Sequence, residues 1–352
     1  MITTRLAASA ATLALAAAAL TACGTTDVEE PAAGGPSAPA SQNCADDTTT
    51  TATGPVSLTD GLGRKVDLPK PAQRVAVLEW QQTEDLLSLC ITPVAAADPK
   101  GYATYVKAET LPASVADAGQ RGEPDFDALY ATKPDLIVME AYQPDDELLG
   151  KLEKRGVPVL ATVGADAKGQ IANMKKVFST IAAATGRTER ADQLLKHFDE
   201  HLAEAKRKVA GVNLKTKSFL HFDGWIEGGN VVVRPYGKGA LFTEIGEQLG
   251  LTAAWTDEIN KSYGSGGVDP SYGLAQTDIE GLTAVGDAML IYAGEEVPDS
   301  YVPELEKSPI WKALPAVKEG RAYSFPDGVW GAGGPKSNEQ AIDAYVKILT
   351  GQ

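Results

Sequence analysis

The chain has 352 residues, 47 Asp and Glu against 32 Lys and Arg, and a formal charge of −15. A surface that acidic repels nucleic acid and anionic lipid headgroups, which excludes a nucleic-acid partner. The length exceeds what one compact core uses and points to two domains.

At the start, Arg5 is the single charge, followed by an apolar run of about 14 to 16 residues and small residues ahead of Cys23, the layout of an export signal. The run falls short of the roughly 20 residues that a membrane span needs. Leu20-Thr21-Ala22-Cys23 resembles the lipobox of bacterial lipoproteins, in which the cysteine thiol takes a diacylglycerol and becomes residue one. An ordinary secretory peptide with a chance cysteine is the alternative. Residues 1–22 are then a lipoprotein signal peptide, and 23–54, rich in Pro, Gly, Ala, Ser and Thr, a flexible tether. Loss of Arg5 takes the formal charge from −15 to −16. Two acyl chains, at roughly 0.8 kcal/mol per buried methylene, would hold Cys23 on the outer face of the cell membrane. Cys44 and Cys90 remain. An even remainder in an exported protein points to one disulfide between tether and first lobe, with a buried free thiol at Cys90 as the other reading.

Val56 to Leu68 alternates around Asp60-Gly61-Leu62-Gly63 and reads as a β-hairpin. Arg74 to Leu78 is a short continuous apolar run of the kind buried in a parallel sheet. A helix from about Thr83, a strand Pro93–Ala97, a helix Phe126–Ala131, a strand Asp135–Met139, a helix Asp145–Arg155 closed by Gly156, and a strand Val157–Val163 follow. A second set comprises strands Ser218–Phe222, Val231–Val233 and Ala288–Ile291 with helices Gly239–Leu249 and Ser337–Leu349. Strands alternating with helices predict parallel α/β sheets covered on both faces. Residues 124–138 and 277–291 share one pattern of short helix, turn and buried strand, which suggests two lobes of similar build.

From Thr188, read as an N-cap, the positions Ala191, Leu194, Leu195, Phe198, Leu202, Ala205 and Val209 keep one apolar stripe along a helix of about 20 residues, roughly 30 Å long. Such a helix spans both lobes or covers one of them. A single helical connection is stiff, so modest cleft closure is expected rather than a wide hinge motion. The predicted organisation is an N-terminal α/β lobe at 55–187, a bridging helix at 188–210 and a C-terminal α/β lobe at 211–352.

Of three histidines, His197 and His201 sit at i and i+4 on that helix. Two such rings can grip zinc, yet the metalloprotease pattern places a glutamate directly after the first histidine, where Phe198 stands. They read as a solvated flank. No G-x-S-x-G, G-x-x-x-x-G-K-[ST] or G-x-G-x-x-G motif occurs, and Gly237-Lys238-Gly239 lacks a third glycine. A two-lobed exported chain without an evident nucleophile and base holds something rather than converting it, so no enzyme activity, catalytic residue, cofactor or protein-ligated metal is expected.

Ligands of open α/β lobes sit outside the carboxyl ends of the strands. The residues there are Glu79 and Trp80, Tyr102, then Glu140 and Tyr142 in the first half, and Arg234 and Tyr236 with Trp225 nearby in the second, where Trp255, Tyr263 and Tyr272 occupy Gly-rich loops. Arg121 precedes a helix in between. Rings with a polar edge and two arginines suit a bulky ligand with an apolar body and exposed oxygens. Arg121 and Arg234 in an acidic protein imply a locally positive cleft.

Arg74-Val75-Ala76-Val77-Leu78-Glu79-Trp80, Glu84-Asp85-Leu86-Leu87, Gly101-Tyr102, Arg121-Gly122-Glu123-Pro124, Lys133-Pro134-Asp135-Leu136-Ile137, Ala254-Trp255, Tyr272-Gly273 and Trp311 to Lys318 together resemble iron-siderophore substrate-binding proteins of ABC importers. The resemblance covers roughly Val56 to Leu349. It implies two Rossmann-like lobes bridged by a single long α-helix, a ferric siderophore as ligand, an ABC permease as partner and a monomeric, membrane-anchored receptor. By the same resemblance Arg121 and Tyr142 hold the chelate's oxygens. Trp255 and Tyr272 supply second-lobe rings, although a tryptophan is usual where Tyr272 stands. Acidic residues on each lobe dock the permease, with Asp145, Asp146 and Glu147 as candidates on one and Glu244 and Glu247 on the other. Ferric citrate, haem and cobalamin are the alternative ligands, while an anchored hydrolase or a purely structural lipoprotein is the alternative class.

Overall fold

The computed structural model describes residues 44–45 and 47–351. The expected signal peptide, the lipid-bearing Cys23 and most of the expected tether lie outside them. Residues 47–52, read from sequence as the end of the tether, are fastened to the first lobe. The Ala52 N–H donates to Gly186 O at 2.9 Å, Thr50 donates to Glu189, and Asp47 forms an ion pair with the Arg187 guanidinium. Cys44 and Cys90 are joined by a disulfide with Cα atoms 5.6 Å apart, which adds a covalent tie to the same stretch.

Five parallel strands form the first-lobe sheet in the order Ala116–Asp117, Ala95–Ala96, Val75–Val77, Leu136–Glu140, Val159–Thr162. The continuous apolar runs follow from burial on both faces: Val75, Ala76, Val77, Leu136, Ile137 and Val138 are all closed to water. The central strand leads into the helix Trp80–Ser88, which starts three residues earlier than its apolar pattern suggests because the Glu79 carboxylate caps the Trp80 N–H at 2.8 Å. The hairpin Val56–Thr59 with Lys65–Leu68 stands apart as its own two-stranded sheet.

The second sheet is mixed, where a parallel one was expected. Its order is Thr277–Asp278, Asn230–Pro235, Ser218–Glu227, Met289–Tyr292, Ala322–Ser324, with Thr252–Ala253 pairing the start of Ser218–Glu227. Ser218–Glu227 runs five residues beyond Phe222 and turns back antiparallel through Gly228 and Gly229, whose φ angles of +56° and +82° need a residue without Cβ. That Gly-Gly pair is a hairpin signal, and it converts the expected crossover into a two-stranded arm.

The bridging helix is Thr188–Ala210, 23 residues long. Thr188 is its first residue rather than its cap. Arg187 takes the cap position and turns its guanidinium onto Leu89 O and Thr51 Oγ1. The apolar stripe divides between two cores. Ala191 and Leu194 pack with Val177, Phe178 and Ile181 of the first lobe, whereas Phe198, Ala205 and Val209 pack with Phe219, Leu249 and Tyr345 of the second. Full burial of Phe198 contributes about 1.5–3 kcal/mol. His197 and His201 are not a purely solvated flank: their ring nitrogens lie 2.8 Å from Glu339 and 2.9 Å from Asp343 of the C-terminal helix Pro335–Thr350.

A second junction is polar. The fully buried Glu84 of the helix Trp80–Ser88 accepts hydrogen bonds from Ser337 N at 2.8 Å and Ser337 Oγ at 2.5 Å, capping the C-terminal helix from the opposite lobe. Burial pushes the Glu84 carboxyl up from 4.5 to about 7, against the Ser337 hydrogen bonds that pull it down. A carboxyl raised on folding binds its proton more tightly in the folded state. Its stabilising contribution is therefore complete below about pH 4.5 and is lost as the pH rises through about 7. Glu84→Gln keeps an acceptor for Ser337 N and should flatten the fall in melting temperature across that window, by an amount corresponding to at most a few kcal/mol. An unchanged slope in melting curves would show that Glu84 does not titrate in the folded protein.

Candidate binding site

Glu79, at the carboxyl end of the central first-lobe strand, does two things at once. Its Oε1 caps the following helix and also accepts from Arg121 Nη1 at 2.6 Å. Arg121 is carried by the Gly119–Pro124 hairpin and lies over an indole, with its guanidinium carbon 3.9 Å from the Trp80 ring centroid and 5.5 Å from that of Trp330. Trp330 comes from the second lobe and meets Trp80 edge-on at 4.9 Å, while Tyr105 stacks on Trp80 at 5.7 Å. Trp80 owes its position to Gly101, where a Cβ would stand 2.4 Å from the indole and 2.1 Å from Asp98.

Glu140 ends the neighbouring strand and crosses the cleft. The Tyr272 hydroxyl donates to its Oε1 at 2.9 Å, and Tyr142 packs edge-on against Tyr272 at 6.5 Å. Burial raises the Glu140 carboxyl above its ordinary value, and the nearby Glu79 charge adds to this, while the tyrosine hydrogen bonds and Arg121 oppose it. Tyr142 remains 43% exposed, so its ring is open to a ligand.

On the second lobe, Asp223 and Arg234 are direct cross-strand partners in the hairpin arm. Arg234 forks onto Asp223 through Nε at 2.7 Å and Nη2 at 2.5 Å, and Tyr236 donates to the same carboxylate at 3.1 Å. Trp225 lies on the same strand, half-buried, with its ring 6.0 Å from the Arg234 guanidinium. The segment carrying Trp330 links the two ends of the cleft, since a Cβ at Gly331 would stand 3.2 Å from the Tyr236 hydroxyl.

The geometry thus brings Trp80, Arg121, Tyr142 and Tyr272 together across the cleft and Trp225, Arg234 and Tyr236 along one arm of it. Three of the residues expected in the site are set into packing, one of them Tyr236, which is 8% exposed and stacks on Phe242 at 5.4 Å in the second-lobe core. Tyr102 is 1% exposed and donates to Glu109 O at 2.9 Å, so it supports Trp80 from behind. Trp255 is 2% exposed in the second-lobe core, its indole N–H on Asn260 at 3.2 Å, because the short strand Thr252–Ala253 turns it inward. Trp330, Tyr105 and Asp223 were not among the expected site residues, and Glu79, named at a strand end, proves to be the partner of Arg121. Trp330 follows the strand Ala322–Ser324, so the strand-end rule reaches it once that short strand is recognised. The expected positive cleft is corrected as well, since each arginine is paired with a carboxylate that sequence spacing does not reveal.

Among the acids expected to dock a permease, Asp146 caps Leu149 N and Glu244 caps Gln170 N at 2.6 Å across the lobe junction, so both are committed. Asp145, Glu147 and Glu247 are exposed. A hollow of about 240 Å³ between Lys215, Arg321, Tyr323 and Leu349 shares no residue with the cleft.

A sequence profile of the periplasmic binding protein family matches residues 75–328. The chain belongs to that family. This binding protein is 28% identical over 259 residues to the iron(3+)-hydroxamate-binding protein FhuD of Escherichia coli, covering 73% of this chain and 80% of that one. It is 26% identical over 299 residues to the putative ABC transporter substrate-binding lipoprotein YhfQ of Bacillus subtilis, covering 84% and 86%. Among solved structures, the Fe3+–Desferal-bound siderophore-binding protein FhuD from Vibrio cholerae superposes with a TM-score of 0.65 at 26% identity, covering 79% of this chain and 97% of that one. The two-lobed, helix-bridged architecture is the one shared by these relatives.

Gly101→Ala tests the wall. The methyl group has no room beside Trp80, so urea unfolding should show a loss of about 1–3 kcal/mol together with a shift of tryptophan emission. A variant that matches the wild type in both would show that Trp80 is not pinned there.

Proposed function

We propose that this binding protein captures a ferric siderophore in the cleft between its lobes, outside the cytoplasmic membrane, and delivers it to an ABC permease. The observation that carries the reading is the cross-lobe cluster in which Arg121 lies against the touching indoles of Trp80 and Trp330, while Tyr142 and Tyr272 meet across the same cleft. A ferric siderophore wraps its metal in its own oxygens, so the protein supplies donors and rings and leaves iron ligation to the chelate. Arginine forks donate to those oxygens, and the aromatic faces cover the apolar arms. The names of the relatives, one a hydroxamate binder and one a structure holding Fe3+–Desferal, support the same ligand class.

Tryptophan quenching tests this directly, because Trp80 and Trp330 form the wall. A panel of ferric hydroxamate, catecholate and citrate complexes, with haem and cobalamin as the competing ligands, should reveal a saturable partner among the iron chelates. Arg121→Ala should cost on the order of 1.5–3 kcal/mol of its binding, the scale of a charged hydrogen bond. Undiminished affinity would remove Arg121 from the site.

The reading extends to location and delivery. A diacylglyceryl Cys23 would keep the receptor within reach of its permease, in line with the lipoprotein name of one relative. Cys23→Ser should move the protein from the membrane fraction into the medium or periplasm. Asp145 and Glu147 on one lobe and Glu247 on the other are the exposed acids that would meet basic residues of the transporter. Reversing Asp145 and Glu247 together should abolish uptake while quenching affinity stays intact; uptake at wild-type rate would exclude the pair.

A further inference from the structure

Both arginines of the cleft are already neutralised by carboxylates built into the fold. Glu79 is fixed by its second task as the cap of the helix Trp80–Ser88, so it meets Arg121 at 2.6 Å from a held position. Asp223 is fixed by strand register, which sets it directly opposite Arg234, and by the Tyr236 hydroxyl at 3.1 Å. A third carboxyl, Glu140, stands in the same cleft on the Tyr272 hydroxyl. The charged groups engaged with the aromatic walls are thus Arg121 and Arg234 against Glu79, Glu140 and Asp223. Their sum is one negative charge with Glu140 ionised and zero with Glu140 protonated. Neither state offers a net positive charge to a ligand.

The consequence differs for two kinds of chelate. A chelate without net negative charge accepts hydrogen bonds from the guanidinium N–H groups that the carboxylates leave unused, and nothing has to move. A polyanionic chelate either sits beside the carboxylates or prises them from their arginines, which leaves a charge unpaired in a partly desolvated site. On the reading that the cleft holds a ferric siderophore, we infer that Glu79 and Asp223 are specificity determinants that admit chelates of zero or positive net charge and reject polyanionic ones. They act as counter-charges that trim the arginines to hydrogen-bond donors.

Quenching titrations of the intact protein with three probes test this: a neutral ferric tris-hydroxamate, a triply anionic ferric tris-catecholate and ferric citrate. The neutral chelate should bind at least about tenfold tighter than either anion. Glu79→Gln retains the helix cap and Asp223→Asn retains the strand geometry. Each should narrow that ratio by about three- to tenfold, chiefly by strengthening the anionic chelate. Two variants on different lobes guard against loss of either through misfolding, which their affinity for the neutral chelate and their melting curves report. Tighter binding of the catecholate or citrate complex by the wild type would overturn the assignment while leaving siderophore binding standing. Ratios unchanged in both variants would likewise show that Glu79 and Asp223 do not set the choice. Binding of none of the three would remove the siderophore reading itself.

Discussion

The cleft of this binding protein depends on one buried contact, the carboxylate of Glu84 on the first turn of the C-terminal helix. Glu84 and Trp80 share a helix, and Trp330 lies a few residues ahead of Ser337, which Glu84 holds. Fastening Ser337 to Glu84 therefore presents Trp80 and Trp330 to each other at 4.9 Å, with Arg121 against both. The contact is strong because a carboxylate at a helix N-terminus meets unsatisfied N–H groups and the positive end of the dipole. It is also costly. Asp85 beside it is fully buried with neither oxygen hydrogen-bonded among the described residues, and its carboxyl is pushed well above its ordinary value by burial and by Glu84. The lobe junction holds that acidic pair at the root of the cleft wall.

The bridging helix supplies the complementary apolar constraint. Its stripe enters the first-lobe core through Leu194 and the second through Phe198, and the helix Gln170–Thr185 does the same, with Ile171 and Met174 in the second core and Phe178 in the first. Glu244 caps that helix from the second lobe. Two helices and two cross-lobe caps thus tie the halves together, and bending either helix means breaking its own backbone hydrogen bonds.

Much of this was legible in the sequence where one local rule decides. The runs Val75–Val77 and Leu136–Glu140 are strands because they are apolar throughout, and the stripe from Ala191 to Val209 is a helix because of its period. Tyr142 was within reach because the ends of parallel strands gather ligands, whereas Arg121 and Tyr272 were singled out by the family resemblance. Trp330 follows a three-residue strand too short to show a period, the helix Gln170–Thr185 is rich in alanine and weak in contrast, and Trp255 looks like a cleft ring until the core closes around it.

By itself the sequence determined the α/β lobes, the helix between them and the set of aromatic and arginine side chains near strand ends, since backbone propensity and hydrophobic period act over a few neighbouring residues. Only the tertiary structure decided which of those side chains face the cleft and what charge the cleft carries. Glu79 meets Arg121 across 42 residues of chain, and Tyr272 meets Glu140 across 132. Coulomb and hydrogen-bond energies depend on separation in space, and no local pattern encodes it.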